Sequence, residues 1–194
     1  MESEMAWRRE QAVCNDNPRI SCAMGLSAPP GKELMHIVVI GYGNPYRGDE
    51  AAGLVLAGIV PRYLPNFADI RSITADGTAL LDAWRGADAL ILVDSVQSGS
   101  TPGTVHRFRN LKDLASGFRF GSCPTFGLVE AVTLAATLRL IPARVIVYGI
   151  EAAQFDESAG LSNEVAEAVL RTASEIQTDF HALLNGALRD ISDG

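Results

Sequence analysis

A chain of 194 residues, 47% hydrophobic and 20% charged, has the size and apolar content to close one globular core. Its net charge of −7 excludes a nucleic-acid partner, which needs a basic surface, and the acidity reads as solubility. Three cysteines, Cys14, Cys22 and Cys123, form neither an even disulfide set nor a zinc knuckle, which points to a reducing cytoplasm. No apolar run reaches about 18 residues, so no membrane insertion is expected, and the N-terminus lacks the apolar stretch of a signal peptide.

Residues 1–34 show no periodicity and end in a loop signal, Ala28-Pro-Pro-Gly-Lys32. They read as a poorly ordered extension ahead of a start at Met35, with a docking arm as the functional alternative. From there a single domain runs over 35–187, leaving 188–194 as a tail. His36–Gly41 is a continuous apolar run, the pattern of a strand buried on both faces in a parallel sheet. Asp49–Val60 is helix-like and stopped by Pro61, Ala68–Thr74 suggests a second strand, and Thr78–Arg85 a short helix. Ala89–Asp94 is another buried strand, while Gly103–Phe108 alternates as a more exposed, antiparallel strand does. Phe126–Leu138 is an apolar helix and Arg144–Gly149 the last buried strand. Ser162 stands as an N-cap for a closing helix that ends near Leu184. Strands alternating with helices give an α/β fold, a doubly wound, mostly parallel sheet between two helical layers.

In such sheets the ligand crevice lies beyond the carboxyl ends of the parallel strands. After the first strand comes Gly41-Tyr-Gly-Asn-Pro-Tyr-Arg-Gly-Asp-Glu50, and after the second Asp76-Gly77-Thr78. The third ends in Asp94-Ser95, and the last runs into Glu151. Asp49 and Asp76 can each be read as the cap of the following helix. Asp94 has no helix directly after it. Carboxylates gathered at one edge suit a cation or an acid/base pair. A rival reading is a dinucleotide-binding turn at Gly41-x-Gly43. Its third glycine position is Tyr46, and Asp49 and Glu50 would repel a pyrophosphate.

The run Gly41-x-Gly-Asn-Pro-x-x-Gly-Asp-Glu50-x-x-Gly53 resembles the signature of hydrogenase maturation proteases. Asp76-Gly-Thr78, the strand ending in Asp94, Pro102-Gly-Thr104, Gly149-Ile-Glu151 and Gly160-Leu-Ser162 follow in that family's order, so the resemblance covers the chain from Met35 to the closing helix. It implies a twisted five-stranded sheet between helices and an endopeptidase, working as a monomer. Such an enzyme removes the C-terminal peptide of a nickel–iron hydrogenase large-subunit precursor after nickel insertion. It further implies that Glu50 and Asp94 contact the nickel, which arrives with the substrate, with no organic cofactor. Asp76 or Glu50 would serve as general base. The family's metal-contacting histidine is matched by Pro124, which has no donor atom. Cys123 beside it and His106 are the substitutes, while His36 and His181 lie far from the crevice in this topology. The alternative is a non-catalytic factor that binds the precursor without shortening it.

Overall fold

The computed structural model describes residues 35–74, 76–109, 114, 118–120, 127–157 and 160–186. The expectations for residues 1–34 and 188–194 lie outside the described residues. Strand β1 (Ile37–Gly43) is buried along its whole length. It leads into a 3-10 turn (Gly48–Ala51), helix α1 (Ala52–Ile59) and a second 3-10 turn (Val60–Arg62). Then come β2 (Asp69–Thr74), α2 (Gly77–Ala83), β3 (Ala89–Gln97), β4 (Val105–Phe108) and β5 (Arg119–Phe120). Helix α3 (Leu128–Thr137), β6 (Arg144–Glu151) and α4 (Asn163–Leu184) complete the described chain.

The sheet order is β2-β1-β3-β6-β4, with β5 paired to the far end of β3. Neighbouring pairs among β2, β1, β3 and β6 are parallel, whereas β4 and β5 run antiparallel to their partners. The mostly parallel α/β architecture is therefore as expected. The sheet gains a sixth, two-residue strand, too short to leave a periodic signal in sequence.

Alternation along the strands divides the core in two. Val39, Ile91, Val93, Ile146 and Tyr148 pack against α1 and α4 through Leu56, Val169, Ile176 and Phe180. On the opposite face Val38, Ile40, Leu90, Leu92 and Val147 meet α2 and α3 through Leu80, Trp84, Leu128 and Val132. Burial on both faces explains why these strands read as unbroken apolar runs rather than alternating ones. Each such side chain contributes about 1.5–3 kcal/mol on leaving water. Among the described residues no helix is long and apolar enough to cross a membrane.

Candidate active site

Because β2, β1, β3 and β6 are parallel and adjacent in that order, their carboxyl ends share one edge. Asp76, Glu50, Asp94 and Glu151 follow one another along it, each at or just beyond the end of its strand.

Glu50 is set by backbone contacts. A Cβ at Gly43 would collide with the Glu50 carbonyl, so glycine there lets the turn fold back over the end of β1. The Glu50 carbonyl accepts from Asn44 N at 3.0 Å, and Glu50 N donates to Arg47 O at 3.0 Å. Gly53 then brings α1 onto the sheet, where a Cβ would strike the carbonyls of Tyr42 and Val93. The turn carrying Glu50 is thus held against the end of β3, one residue before Asp94. The Glu50 side chain is 2% exposed. Arg47 Nη1 lies 2.9 Å from its Oε1, while the buried Oε2 has no hydrogen-bond partner among the described residues. Burial pushes this carboxyl up from its ordinary range, and Arg47 opposes the shift.

Asp94 is fully buried and shares the face of β3 that carries Leu90 and Leu92. Its Oδ1 accepts from Ser95 N at 2.7 Å. The strand continues to Gln97, so Asp94 stands inside β3 rather than ending it.

Asp76 caps α2: its Oδ1 accepts from Thr78 N at 2.8 Å, Ala79 N at 3.2 Å and Thr78 Oγ1 at 2.6 Å. The Thr78 hydroxyl and these two amides hold its carboxyl below the usual range. Asp49 does not cap the helix it precedes, contrary to the sequence-based expectation. It is fully buried and accepts from Ala153 N, Gln154 N, Ser162 N and Ser162 Oγ at 2.7–3.0 Å. Ser162 takes the N-cap position of α4, but its hydroxyl serves Asp49 and makes no bond to the helix.

Glu151 closes the loop after β3. Its carboxylate accepts from Ser98 N, Ser98 Oγ and Gly99 N at 2.7–3.1 Å. His106 Nε2 lies 3.4 Å from Glu151 Oε2, and the ring packs edge-on to Phe118 at 4.8 Å. The sequence places no carboxylate beside His106, yet the fold supplies one from 45 positions away. His106 pairs with Gly149, which pairs in turn with Asp94, so Asp94 and His106 share one row of the sheet. Val96 and Phe120 fill the space above Gly149 between them. His36 is at the opposite end of β1, 3.0 Å from Asp69, and His181 bonds Gln177 O within α4. Cys123 and Pro124 lie outside the described residues. Among the described residues no group of three or more His, Cys, Asp or Glu is arranged to hold a metal ion. The partner of Glu50, Arg47, escaped the sequence reading, although its three-residue spacing on a helical turn was the available signal.

The family model for hydrogenase maturation proteases matches residues 74–179, just over half of the chain. The hydrogenase expression/formation protein HupD of Thiocapsa roseopersicina is 26% identical over 149 residues, covering 75% of this chain and 67% of that protein. HupM of Azotobacter chroococcum is 27% identical over 150 residues, covering 76% and 72%. Among solved structures, the hydrogenase maturating endopeptidase HybD from E. coli superposes with a TM-score of 0.64 at 24% identity, covering 82% of this chain and 100% of that one. The NiFe hydrogenase maturation protease HybD from Thermococcus kodakarensis gives 0.61 at 23% identity, covering 75% and 99%. With the carboxylate edge, the order of motifs and the matched family model in agreement, the chain belongs to the hydrogenase maturation protease family, a family of endopeptidases.

Proposed function

We propose that this protein removes a short C-terminal peptide from a nickel–iron hydrogenase large-subunit precursor after nickel has been inserted, with Glu50 and Asp94 facing the nickel that the precursor carries. The observation that supports this most directly is the half-satisfied Glu50 carboxylate. One oxygen is on Arg47, and the other is buried without a hydrogen-bond partner among the described residues. A buried carboxylate oxygen left unpaired is costly, and a cation brought by a partner relieves it. Asp94 supplies a second buried carboxylate at the end of the neighbouring strand.

Substrate-borne nickel would supply Lewis acidity at the scissile carbonyl. The chain's own contribution is to position that substrate and to move a proton. Glu50, whose carboxyl burial makes more basic, accepts the proton of the attacking water at Oε2. The water oxygen bonds to the scissile carbon, the C–N bond breaks, and the proton passes to the departing amine. Asp76 is a poorer base, since its charge is already stabilised by three donors.

Mixing the protein with a nickel-loaded precursor and weighing the product tests this reading. A precursor shortened at its C-terminus, with cleavage lost in Asp94→Asn, supports it. A stable complex of unchanged mass would instead make the protein a binding factor.

A further inference from the structure

Arg47 and Glu50 form an ion pair whose two ends sit in opposite surroundings. The carboxylate is 2% exposed, whereas the arginine side chain is 44% exposed. The arginine backbone is fixed on both sides: it forms an antiparallel bridge with Glu157, and its carbonyl accepts from Glu50 N. Among the described residues the guanidinium has no hydrogen-bond or ion-pair partner other than Glu50. A single long side chain therefore reaches inward from a rigid turn and covers one oxygen of a buried carboxylate.

We propose that Arg47 is a built-in stand-in for the substrate-borne cation. It neutralises Glu50 in the resting enzyme, closes the carboxylate to free metal ions, and yields its place when a precursor docks with its nickel. This rests on the function proposed above and adds a specificity-determining residue to it. A buried carboxylate without a compensating charge is strongly unfavourable, so Glu50 needs a cation before substrate arrives. An arginine anchored only through that contact can turn into water, where its guanidinium is well accommodated. The exchange replaces one positive charge by two and brings in a ligand able to use Oε2 as well. A free divalent ion gains less from the same exchange, because it must also shed its own water without the docking contacts of a precursor. Arg47 thus discriminates by exclusion as much as by attraction.

Titration of the metal-free, full-length protein with nickel(II) alone tests this, comparing the wild type with Arg47→Met, Arg47→Lys and the double variant Arg47→Met/Glu50→Gln. Removing a positive charge a few ångströms from a dication predicts tighter binding by about ten-fold or more in Arg47→Met. The gain should be smaller in Arg47→Lys and absent in the double variant. In processing assays, added free nickel should inhibit Arg47→Met at concentrations that leave the wild type active. Equal nickel affinity in the wild type and Arg47→Met, both folded by circular dichroism, overturns the proposal. So does a gain that survives Glu50→Gln. Should Arg47→Met fail to fold, an Arg47→Lys affinity equal to wild type is the overturning result. The titration is read without precursor, so a failure of the proposed peptidase reaction appears separately, as unchanged precursor mass with the wild type.

Discussion

Asp49 Oδ1 accepts a hydrogen bond from Ser162 N at 2.7 Å across 113 positions of sequence, tying the turn that carries Glu50 to the start of the closing helix. Its other oxygen takes Ala153 N, Gln154 N and the Ser162 hydroxyl, so one buried carboxylate satisfies three backbone amides of the β6–α4 connection.

Replacing Asp49 with alanine strands those donors in a site closed to water. Hydrogen bonds to a charged acceptor contribute more than neutral ones, and orphaned amides are penalised on top of that. Asp49→Ala is expected to lower stability by about 3–5 kcal/mol, read as a reduced midpoint in urea unfolding with little change in slope. Precursor processing should fall further than the folded fraction does, because the adjacent Glu50 loses its backbone anchor.

Gly53 offers a second check on how the site is positioned. Its Cα lies against the Tyr42 and Val93 carbonyls with no space for a methyl group. Gly53→Ala must lift α1 off the sheet, a backbone displacement rather than a side-chain adjustment. A loss of about 1–3 kcal/mol or more is expected. Gly58, on the same helix, has nothing within 4 Å of the position a methyl group would take. It should accept alanine with no loss or a small gain, since alanine favours helix. Thermal melts of the two variants side by side check both.

The buried strands were legible in the sequence because burial on both faces leaves unbroken apolar runs, and Asp76 because a cap bonds its own next residues. Glu50 and Asp94 were legible because parallel strands send whatever follows them to one edge. Asp49, Ser162 and the His106–Glu151 contact were not, since each depends on partners tens of residues away. Local sequence made a cap the natural expectation for Asp49, and tertiary packing overrode it.

Acidification should destabilise the fold through identifiable carboxylates. At Glu151 burial pulls the carboxyl upward, but the Ser98 hydroxyl, the Ser98 and Gly99 amides and His106 outweigh it and hold it below the usual range. At Asp69 burial is likewise outweighed by Arg71 and His36. Groups depressed in the folded state bind fewer protons there than in the unfolded chain. Their contribution is complete above the ordinary carboxylate range near pH 4 and is lost as pH falls through the lower folded values. Glu151 is faced by Ser98 on the loop after β3 and by His106 from β4, so its share is separable. Glu151→Gln is expected to be less stable than the wild type near neutral pH, with the difference shrinking below about pH 4. Urea midpoints across pH check this, and a difference that grew on acidification would falsify the assignment.

The choice of base between Glu50 and Asp76 can be resolved by two isosteric changes. Asn caps a helix about as well as Asp, so Asp76→Asn keeps acceptance from Thr78 N and Ala79 N while removing the charge. If Asp76 acts only as a cap, processing by this variant should stay within about two-fold of wild type. Glu50→Gln retains volume and a carbonyl oxygen for Arg47, but it offers no proton acceptor for the attacking water and no anion for a cation. Loss of a positioned base typically lowers rates by about 100- to 10,000-fold, so single-turnover processing by Glu50→Gln should fall into that range. Full activity in Glu50→Gln with loss in Asp76→Asn would transfer the chemistry to the other end of the edge, despite the three donors already committed to Asp76.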